Sequence, residues 1–180
     1  GPYQIMRPGW GTYTAGGAGD FRHNDEKFVE VGERWIGELA DSDDPWCVYV
    51  GCSMPHDPYW VPQKYYDLYA DVEVPLPESY FDEIHDKPMI VQRMREQIWG
   101  QLSQEETRDM IRCFWAMCTY LDDLFGKLLR KLDETGRAEN TIVLYCADHG
   151  DYCGDHGLFC KGIPCYRGAY HVPAVLRWPQ

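Results

Sequence analysis

The sequence has no apolar run of the roughly 18 residues that a transmembrane helix needs. It is also short of basic residues, with 17 Lys and Arg against 29 Asp and Glu and a net charge of −12. This argues against nucleic acid and anionic membranes as partners, because phosphate groups demand clustered Lys and Arg. The first residues, Gly1-Pro-Tyr-Gln4, lack both an initiator Met and the features of a signal peptide. We therefore expect a fragment or a processed chain.

None of the eight cysteines forms the C-x-x-C pairs that are typical of zinc and redox sites. Those among apolar neighbours are predicted to be buried free thiols, namely Cys47, Cys113, Cys118 and Cys146. Cys153, Cys160 and Cys165 lie in a glycine-rich segment, where pairing stays open because sequence alone does not fix connectivity. This cysteine usage favours a reducing compartment, and we expect a cytoplasmic location.

The 44% hydrophobic and 14% aromatic content is enough for one sizeable core, and 180 residues are too few for two domains. Predicted helices and strands alternate. The first helix begins at Asn24 or Asp25, and its apolar positions are Phe28, Val31, Trp35, Ile36 and Leu39. The second helix begins at Ser103, where Ser103-Gln-Glu-Glu106 has the capping-box form, and Gly136 is its predicted stop. The strands cover 46–53, 141–147 and 172–178. This alternation predicts an α/β fold. Two segments are predicted to be irregular, the N-terminal residues 1–23 and a surface excursion over 63–87, and a short helix is predicted in 88–100.

Two of the predicted strands lead into loops that carry histidine. Asp148 and His149 follow the strand 141–147, where a carboxylate beside an imidazole suits a divalent cation and Gly150 permits the turn that both ligands need. Active sites of open α/β sheets lie at such strand ends. The same pattern is equally consistent with Asp148 as a helix cap and His149 as an ordinary surface residue.

Other polar residues near these strand ends have two interpretations. Lys161 is either a point charge for an anionic oxygen or a solvated lysine. His56, between Pro55 and Pro58, is either a hydrogen-bond donor or general acid, or a turn residue. The second Asp-His-Gly, 155–157, is predicted to shape the loop through local hydrogen bonds from side chain to backbone rather than to bind metal.

Four segments together resemble the sulfatases of the alkaline phosphatase superfamily. They are Ala147–Gly162, Val48–Pro58 with its Pro-His-Asp-Pro, Pro62-Gln-Lys-Tyr-Tyr66 and Val172–Pro179. The resemblance runs from about residue 24 to the end of the chain. It implies part of an alkaline-phosphatase-like α/β/α sandwich with a mainly parallel sheet, forming a single partial catalytic domain over 1–180.

The resemblance also implies roles for individual residues. Asp148 and His149 would bind one divalent metal ion, Ca²⁺ first, with Mn²⁺ or Mg²⁺ as alternatives. Lys161 would hold the sulfate oxygens, and His56 would bind the ester and protonate the leaving group. The implied function is a metal-dependent hydrolase of small sulfate esters.

The sequence departs from the family pattern at the nucleophile. The family's formylglycine is made from the cysteine of C-x-P-x-R, which this chain lacks; in Cys52-Ser-Met-Pro-His56 the proline is one position late and the arginine is missing. The Tyr-Glu-Glu that often follows the catalytic loop is here Tyr166-Arg-Gly168. We therefore expect the formylglycine in a longer parent, and an isolated chain that is inactive and associates with itself or with a missing N-terminal segment.

Two other functions remain open at this point. One is a phosphonate monoester or phosphodiester hydrolase of the same superfamily, because Asp148 and His149 suit either reaction. The other is a non-catalytic binding protein that retains the fold. The identity of the nucleophile in the parent would separate these alternatives.

Overall fold

Helices and strands alternate along the chain in the computed structural model, which describes residues 3–9 and 11–179. The strands are β1 Tyr3–Arg7, β2 Gly11–Gly19, β3 Tyr59–Pro62, β4 Val143–Cys146 and β5 Ala174–Arg177. The α-helices are α1 Asp25–Leu39, α2 Gln63–Tyr66, α3 Met89–Arg93, α4 Gln104–Glu134 and α5 Arg167–Tyr170. A π-helical turn, Met94–Ile98, continues α3. The predicted α/β class is confirmed.

The first sheet contains the N-terminal residues. β1 pairs antiparallel with β2, and β2 pairs parallel with β3. The prediction of an irregular segment over 1–23 was therefore wrong for the residues that the structure describes. The glycines of β2 indicated a loop, but they serve close packing: a Cβ on Gly16 would lie 2.8 Å from the carbonyl oxygen of Tyr59. That partner is distant in sequence, so local patterns could not reveal the pairing.

The long helix α4 forms the centre of the core. Its start is as predicted, because the Ser103 hydroxyl accepts from the N–H of Glu106 while the Glu106 carboxylate accepts from the N–H of Ser103. It ends at Glu134, Thr135 is its C-cap, and Gly136 follows with a φ of +68° that suits glycine. Met110 and Met117 are fully buried on its inner face. Together these features make α4 the scaffold on which β2, β3 and α1 pack.

Helix α1 packs on α4 through a face that contains the predicted Ile36 but not the predicted Phe28 and Trp35. Phe28 and Trp35 are 53% and 46% exposed, whereas Asp25, Val29, Gly32 and Ile36 are buried. A Cβ on Gly32 would lie 2.7 Å from Val50 and 3.0 Å from Leu128. The close approach at Gly32 and the burial of Asp25 set this face, and apolar spacing reveals neither.

Among the described residues, the second sheet consists of β4 and β5, which pair antiparallel. A mainly parallel sheet was predicted, whereas β2 with β3 is the one parallel pairing that the described strands form. The strand predicted over 46–53 was wrong, since these residues form no ladder with any described residue. Between 46–50 and 141–144 lies a cavity of about 710 Å³, here called the strand cleft, with Ile36, Phe125, Leu128, Leu129 and Leu132 also lining it. Beside it, Leu144, Val175, Leu176 and Trp178 are all more than half exposed. The second sheet is therefore open on an edge and a face.

All eight cysteines are free thiols, and only part of their predicted burial is observed. Cys113 is buried as predicted, whereas Cys47, Cys118 and Cys146 are exposed. Cys47 lines the strand cleft and Cys146 ends β4, where no described residue covers them. Cys160 is buried and Cys165 exposed. No helix in the described ranges combines the length and apolar character needed to cross a membrane.

Candidate active site

The loop after β4 brings Asp148 and His149 to the surface. Asp148 is 91% exposed, and no helix begins after it, which rules out the helix-cap interpretation. The Nδ1 of His149 lies 2.8 Å from the carbonyl oxygen of Gly150. Because a carbonyl only accepts, Nδ1 carries the proton and Nε2 keeps its lone pair. That Nε2 lies 3.8 Å from Oδ1 of Asp148, a separation that two ligands of one ion can have.

The turn at Gly150 depends on a backbone contact. The Gly150 N–H donates to the carbonyl of Ala169 at 2.8 Å, and a Cβ on Gly150 would lie 2.0 Å from the carbonyl oxygen of Gly168. No side chain fits there without moving the backbone. The predicted turn therefore exists, and it fixes the loop of Asp148 and His149 against helix α5.

The loop before β3 places His56 against the other two basic side chains. The ammonium of Lys161 donates to Nε2 of His56, although the two residues are 105 positions apart. The imidazole rings of His56 and His149 are 6.0 Å apart and perpendicular. The structure thus brings three of the four predicted site residues together, with Asp148 adjoining them.

Asp57 is part of the site and was not singled out from the sequence. Its side chain is only 10% exposed, with Oδ1 lying 3.1 Å from Nδ1 of His56 and Oδ2 accepting from the hydroxyl of Tyr13 and from Arg7. Burial alone would raise the pKa of Asp57, but hydrogen bonds from Tyr13 and Cys160 and the charges of His56 and Arg7 lower it below its usual value. Asp57 is therefore an ionised carboxylate beneath His56.

Asp151 is a second buried carboxylate without a predicted role. It accepts from the hydroxyl of Tyr59 at 2.7 Å and from the N–H groups of Cys153 and Cys160 at 2.8 and 3.1 Å. Burial raises the pKa of Asp151 to about 6, although these hydrogen bonds oppose the change. It joins β3 to the residue that precedes Lys161, so it holds the lysine loop in place.

The sequence matches the family model described as Sulfatase over residues 7–180. The chain belongs to the sulfatase family. The match starts well before residue 24, where the resemblance was expected to begin. The choline-sulfatase of Rhizobium meliloti (strain 1021) is 29% identical to this chain over an alignment 180 residues long. That alignment covers 94% of this chain and 35% of the choline-sulfatase.

Solved structures agree with the family assignment at the level of the fold. The phosphonate monoester hydrolase of Agrobacterium radiobacter superposes with a TM-score of 0.74 at 21% identity, over 89% of this chain and 35% of that one. A 2-O GAG sulfatase superposes with a TM-score of 0.69 at 22% identity, over 89% and 37%. The predicted alkaline-phosphatase-like α/β fold is confirmed. The chain spans about a third of the length of the relatives it matches.

In this sulfatase-family chain, the second Asp-His-Gly contacts a distant segment. Oδ1 of Asp155 accepts from the hydroxyl of Ser79 at 3.0 Å. The ring of His156 stacks on Tyr166 at 3.7 Å, and its Nδ1 lies 2.8 Å from Oδ2 of Asp82. These contacts attach the surface excursion around 78–82 to the loop, which is a structural role through long-range contacts rather than the local hydrogen bonds that were predicted.

Asp148 and His149 fit a metal ion as part of a ligand set. Within the described ranges, no three His, Cys, Asp or Glu side chains are grouped so as to hold a metal. Ca²⁺ takes six to eight oxygen ligands, and these two residues supply one carboxylate and one imidazole. The donor chemistry suits a divalent cation, but a complete site needs further ligands.

A recess of about 380 Å³ adjoins His56 on the side of α1. Its aromatic walls are Phe21 and Trp60, whose rings are 5.9 Å apart. Arg22, His23, Asn24 and Ser53 supply polar groups around it. The recess therefore combines two aromatic walls with a lining that is otherwise mostly polar.

Proposed function

We propose that this chain carries the sulfate-binding and leaving-group half of a metal-dependent sulfate ester hydrolase. The observation that carries the proposal is the contact of the Lys161 ammonium with Nε2 of His56, beside a His149 whose own Nε2 is free to bind metal. A fixed positive charge, an imidazole and a ligand pair at one place are what the transfer of an oxyanion group requires. Sulfatase family membership supports the same chemistry.

Each side chain has one role in this proposal. Lys161 binds the non-bridging sulfate oxygens through its charge. In the free chain Nε2 of His56 accepts from Lys161; with the ester bound, Lys161 turns to the sulfate and the ring carries a proton on both nitrogens. As the nucleophile of the parent bonds to sulfur and the bond from sulfur to the bridging oxygen breaks, Nε2 gives its proton to that oxygen, so that the leaving group departs as a neutral alcohol. Asp148 and His149 would hold the ion, Ca²⁺ first and Mn²⁺ or Mg²⁺ as alternatives, which supplies further positive charge to the sulfate when bound. The recess beside His56 would accommodate the alcohol part of the ester.

We further propose that the isolated 180-residue chain does not turn over. The sequence contains no C-x-P-x-R from which a formylglycine could be made, and Asp148 and His149 are an incomplete ligand set. Nucleophile, metal and acid act as a unit, so the loss of one removes most of the rate.

Phosphonate monoester hydrolysis is the second candidate, and the superposition on the Agrobacterium radiobacter enzyme favours it at the level of the fold. Lys161 and His56 suit either tetrahedral anion, so binding preference separates the two.

A non-catalytic binding protein is the third candidate, because binding of a ligand alone does not demonstrate that the protein catalyses a reaction. Turnover after the chain is combined with a nucleophile-bearing segment of a sulfatase would eliminate it.

The experiment compares the binding of methyl sulfate with that of methylphosphonate, and NMR on the 180-residue chain measures both. We expect methyl sulfate to shift the resonances of Lys161 and His56, and Lys161→Met to weaken binding about tenfold or more, the scale of a charge-assisted contact. The matched control is Lys27→Met, which removes an exposed lysine from α1. Equal weakening in both variants, or shifts that avoid Lys161 and His56, would contradict the proposal. Tighter binding of methylphosphonate would favour the second candidate.

A further inference from the structure

His56 is held from below by the residue that follows it. Its Nδ1 lies 2.7 Å from the backbone carbonyl of Asp57 and 3.1 Å from the carboxylate Oδ1 of the same residue. Both oxygens only accept, so Nδ1 carries a proton; it donates that proton to the carbonyl, and the negative charge of the carboxylate lies beside it. The other ring nitrogen, Nε2, then faces the ammonium of Lys161. The direction of Nε2 is therefore determined on the opposite side of the ring.

The carboxylate that holds the ring is itself held rigidly. Tyr13 on β2 donates its hydroxyl to Oδ2 of Asp57, and Arg7 on β1 places Nη2 3.4 Å from the same atom. The Arg7 guanidinium in turn lies 3.7 Å from the centre of the Tyr13 ring. Since the N-terminal hairpin belongs to the sheet with β3, Asp57 is fixed to the core and not only to its own loop.

We propose that Asp57 is a positioning residue, which directs Nε2 of His56 toward Lys161 and toward the ester oxygen. The contact with the ester rests on the proposed function. A buried carboxylate is costly unless it is paired, and among the described groups that face the Asp57 carboxylate the ring of His56 is the one that the proposed chemistry uses. The arrangement is that of a general acid whose imidazole is oriented by a carboxylate on its far nitrogen.

This role differs from that of a purely structural ion pair. If Asp57 served only to pair with Arg7 and Tyr13, the state of the His56 ring would not depend on it. If it orients the ring, replacing it by Asn leaves only neutral oxygens, the backbone carbonyl and the amide oxygen, beside Nδ1, and the ring gains freedom to turn or to move its proton to Nε2. A proton on Nε2 of the neutral ring would oppose the Lys161 ammonium.

The test is the tautomer of His56, read from the ¹⁵N shifts of its ring by NMR on the 180-residue chain at about pH 8, well above the usual imidazole pKa. A His56→Gln spectrum assigns the signals. We expect the wild-type chain to show the Nδ1–H form, and Asp57→Asn to lower the fraction of that form about twofold or more, because the remaining carbonyl is a weaker constraint. Lys161→Met should lower that fraction less than Asp57→Asn does, because both oxygens of Asp57 still face Nδ1.

Asp86→Asn is the matched control, since it removes an exposed carboxylate that pairs only with its neighbour Lys87. A wild-type Nε2–H form, an unchanged tautomer in Asp57→Asn, or an equal change in Lys161→Met would each overturn the proposal. If Asp57→Asn does not fold, Tyr13→Phe is the second variant that tests the proposal, because it removes a hydrogen bond to the Asp57 carboxylate and keeps the charge of that carboxylate. We expect a smaller loss of the Nδ1–H form there, and no loss would overturn the positioning role.

The tautomer measurement needs neither turnover nor a bound ester. Loss of the proposed function, seen as no binding of methyl sulfate, would leave the tautomer result intact. Conversely, methyl sulfate binding with a tautomer that is insensitive to Asp57 would retain the anion site and remove Asp57 from it. The two proposals therefore fail in different ways.

Discussion

The carboxylate of Asp25 accepts hydrogen bonds from both the backbone N–H and the hydroxyl of Ser53, at 2.9 and 3.1 Å. The N–H of Met54 donates to the same carboxylate at 2.7 Å. Asp25 is the first residue of α1 and is fully buried, and the residues it binds begin the His56 loop. One side chain thus joins the start of a helix to the start of the candidate active-site loop.

We expect Asp25→Ala to lower the free energy of unfolding by about 2–4 kcal/mol, because the N–H groups of Ser53 and Met54 and the Ser53 hydroxyl lose a charged acceptor that is itself fully buried. Urea denaturation measures the change. The control is Asp43→Ala in the exposed turn after α1, which should stay within about 0.5 kcal/mol of the wild type. Equal stability of both variants would show that the Asp25 contacts contribute little.

Asp148 and His149 predict a weak but localised ion site. Substoichiometric Mn²⁺ should broaden the NMR signals of His149 first and then those of His56, whose ring lies 6.0 Å away. Asp148→Asn should weaken the effect about tenfold, since an amide is a poorer ligand than a carboxylate. Asp44→Asn, in the exposed turn before the strand cleft, serves as the control. Broadening that persists in Asp148→Asn would place the ion elsewhere.

The buried Asp151 predicts a pH dependence of stability. Its pKa of about 6 in the folded chain lies above the ordinary 3.8, so the folded state keeps a proton that the unfolded state releases. Its contribution to stability is therefore present below about pH 4 and declines as the pH rises to about 6, by at most about 3 kcal/mol. In metal-free buffer, Asp151→Asn should gain stability relative to the wild type over this range.

Urea denaturation between about pH 4.5 and pH 7 measures that gain, which we expect to reach about 2 kcal/mol. Asp71→Asn, on the exposed surface excursion, removes an ordinary carboxylate and should show no such trend. A constant difference between Asp151→Asn and the wild type at every pH would contradict a raised pKa.

The open second sheet predicts self-association. Leu144 on β4 is 62% exposed beside the strand cleft, and exposed apolar strands favour pairing with another chain. We expect the molar mass from light scattering to rise with concentration, and Leu144→Ser to reduce that rise. Phe81→Ser is the matched control, because Phe81 is 60% exposed on a helical turn outside the sheet. An equal effect of both substitutions would show that general surface hydrophobicity drives association.

The features that sequence predicts well are local ones. The capping box at Ser103 and the glycine stop at Gly136 involve groups within a few residues of each other, so their chemistry is visible in the sequence. The turn at Gly150 was predicted for the same reason. Its cause, the contact with Gly168, was not visible, because that residue approaches only in the folded chain.

The features that sequence misses are set by distant partners. The glycines of β2 have the sequence pattern of a loop, and only the packing of Tyr59 against them shows why a strand needs them. The buried face of α1 contains Gly32 and Asp25 rather than Phe28. Asp57 gave no signal, because its partners Arg7 and Tyr13 lie in a segment that was expected to be irregular. The resemblance located His56 and Lys161, and only the fold showed their contact.

The strand cleft has a consequence for the candidate active site. One of its walls, 46–50, runs into the His56 loop, and the other, 141–144, runs into Asp148 and His149. The separation of His56 from Asp148 and His149, the proposed proton donor and the proposed ion ligands, is therefore governed by the width of the cleft. A change of one strand spacing, about 4.8 Å, would move one loop past the reach of the other. The affinity of the chain for the ion would then report on the assembly of the sheet, even with every ligand unaltered.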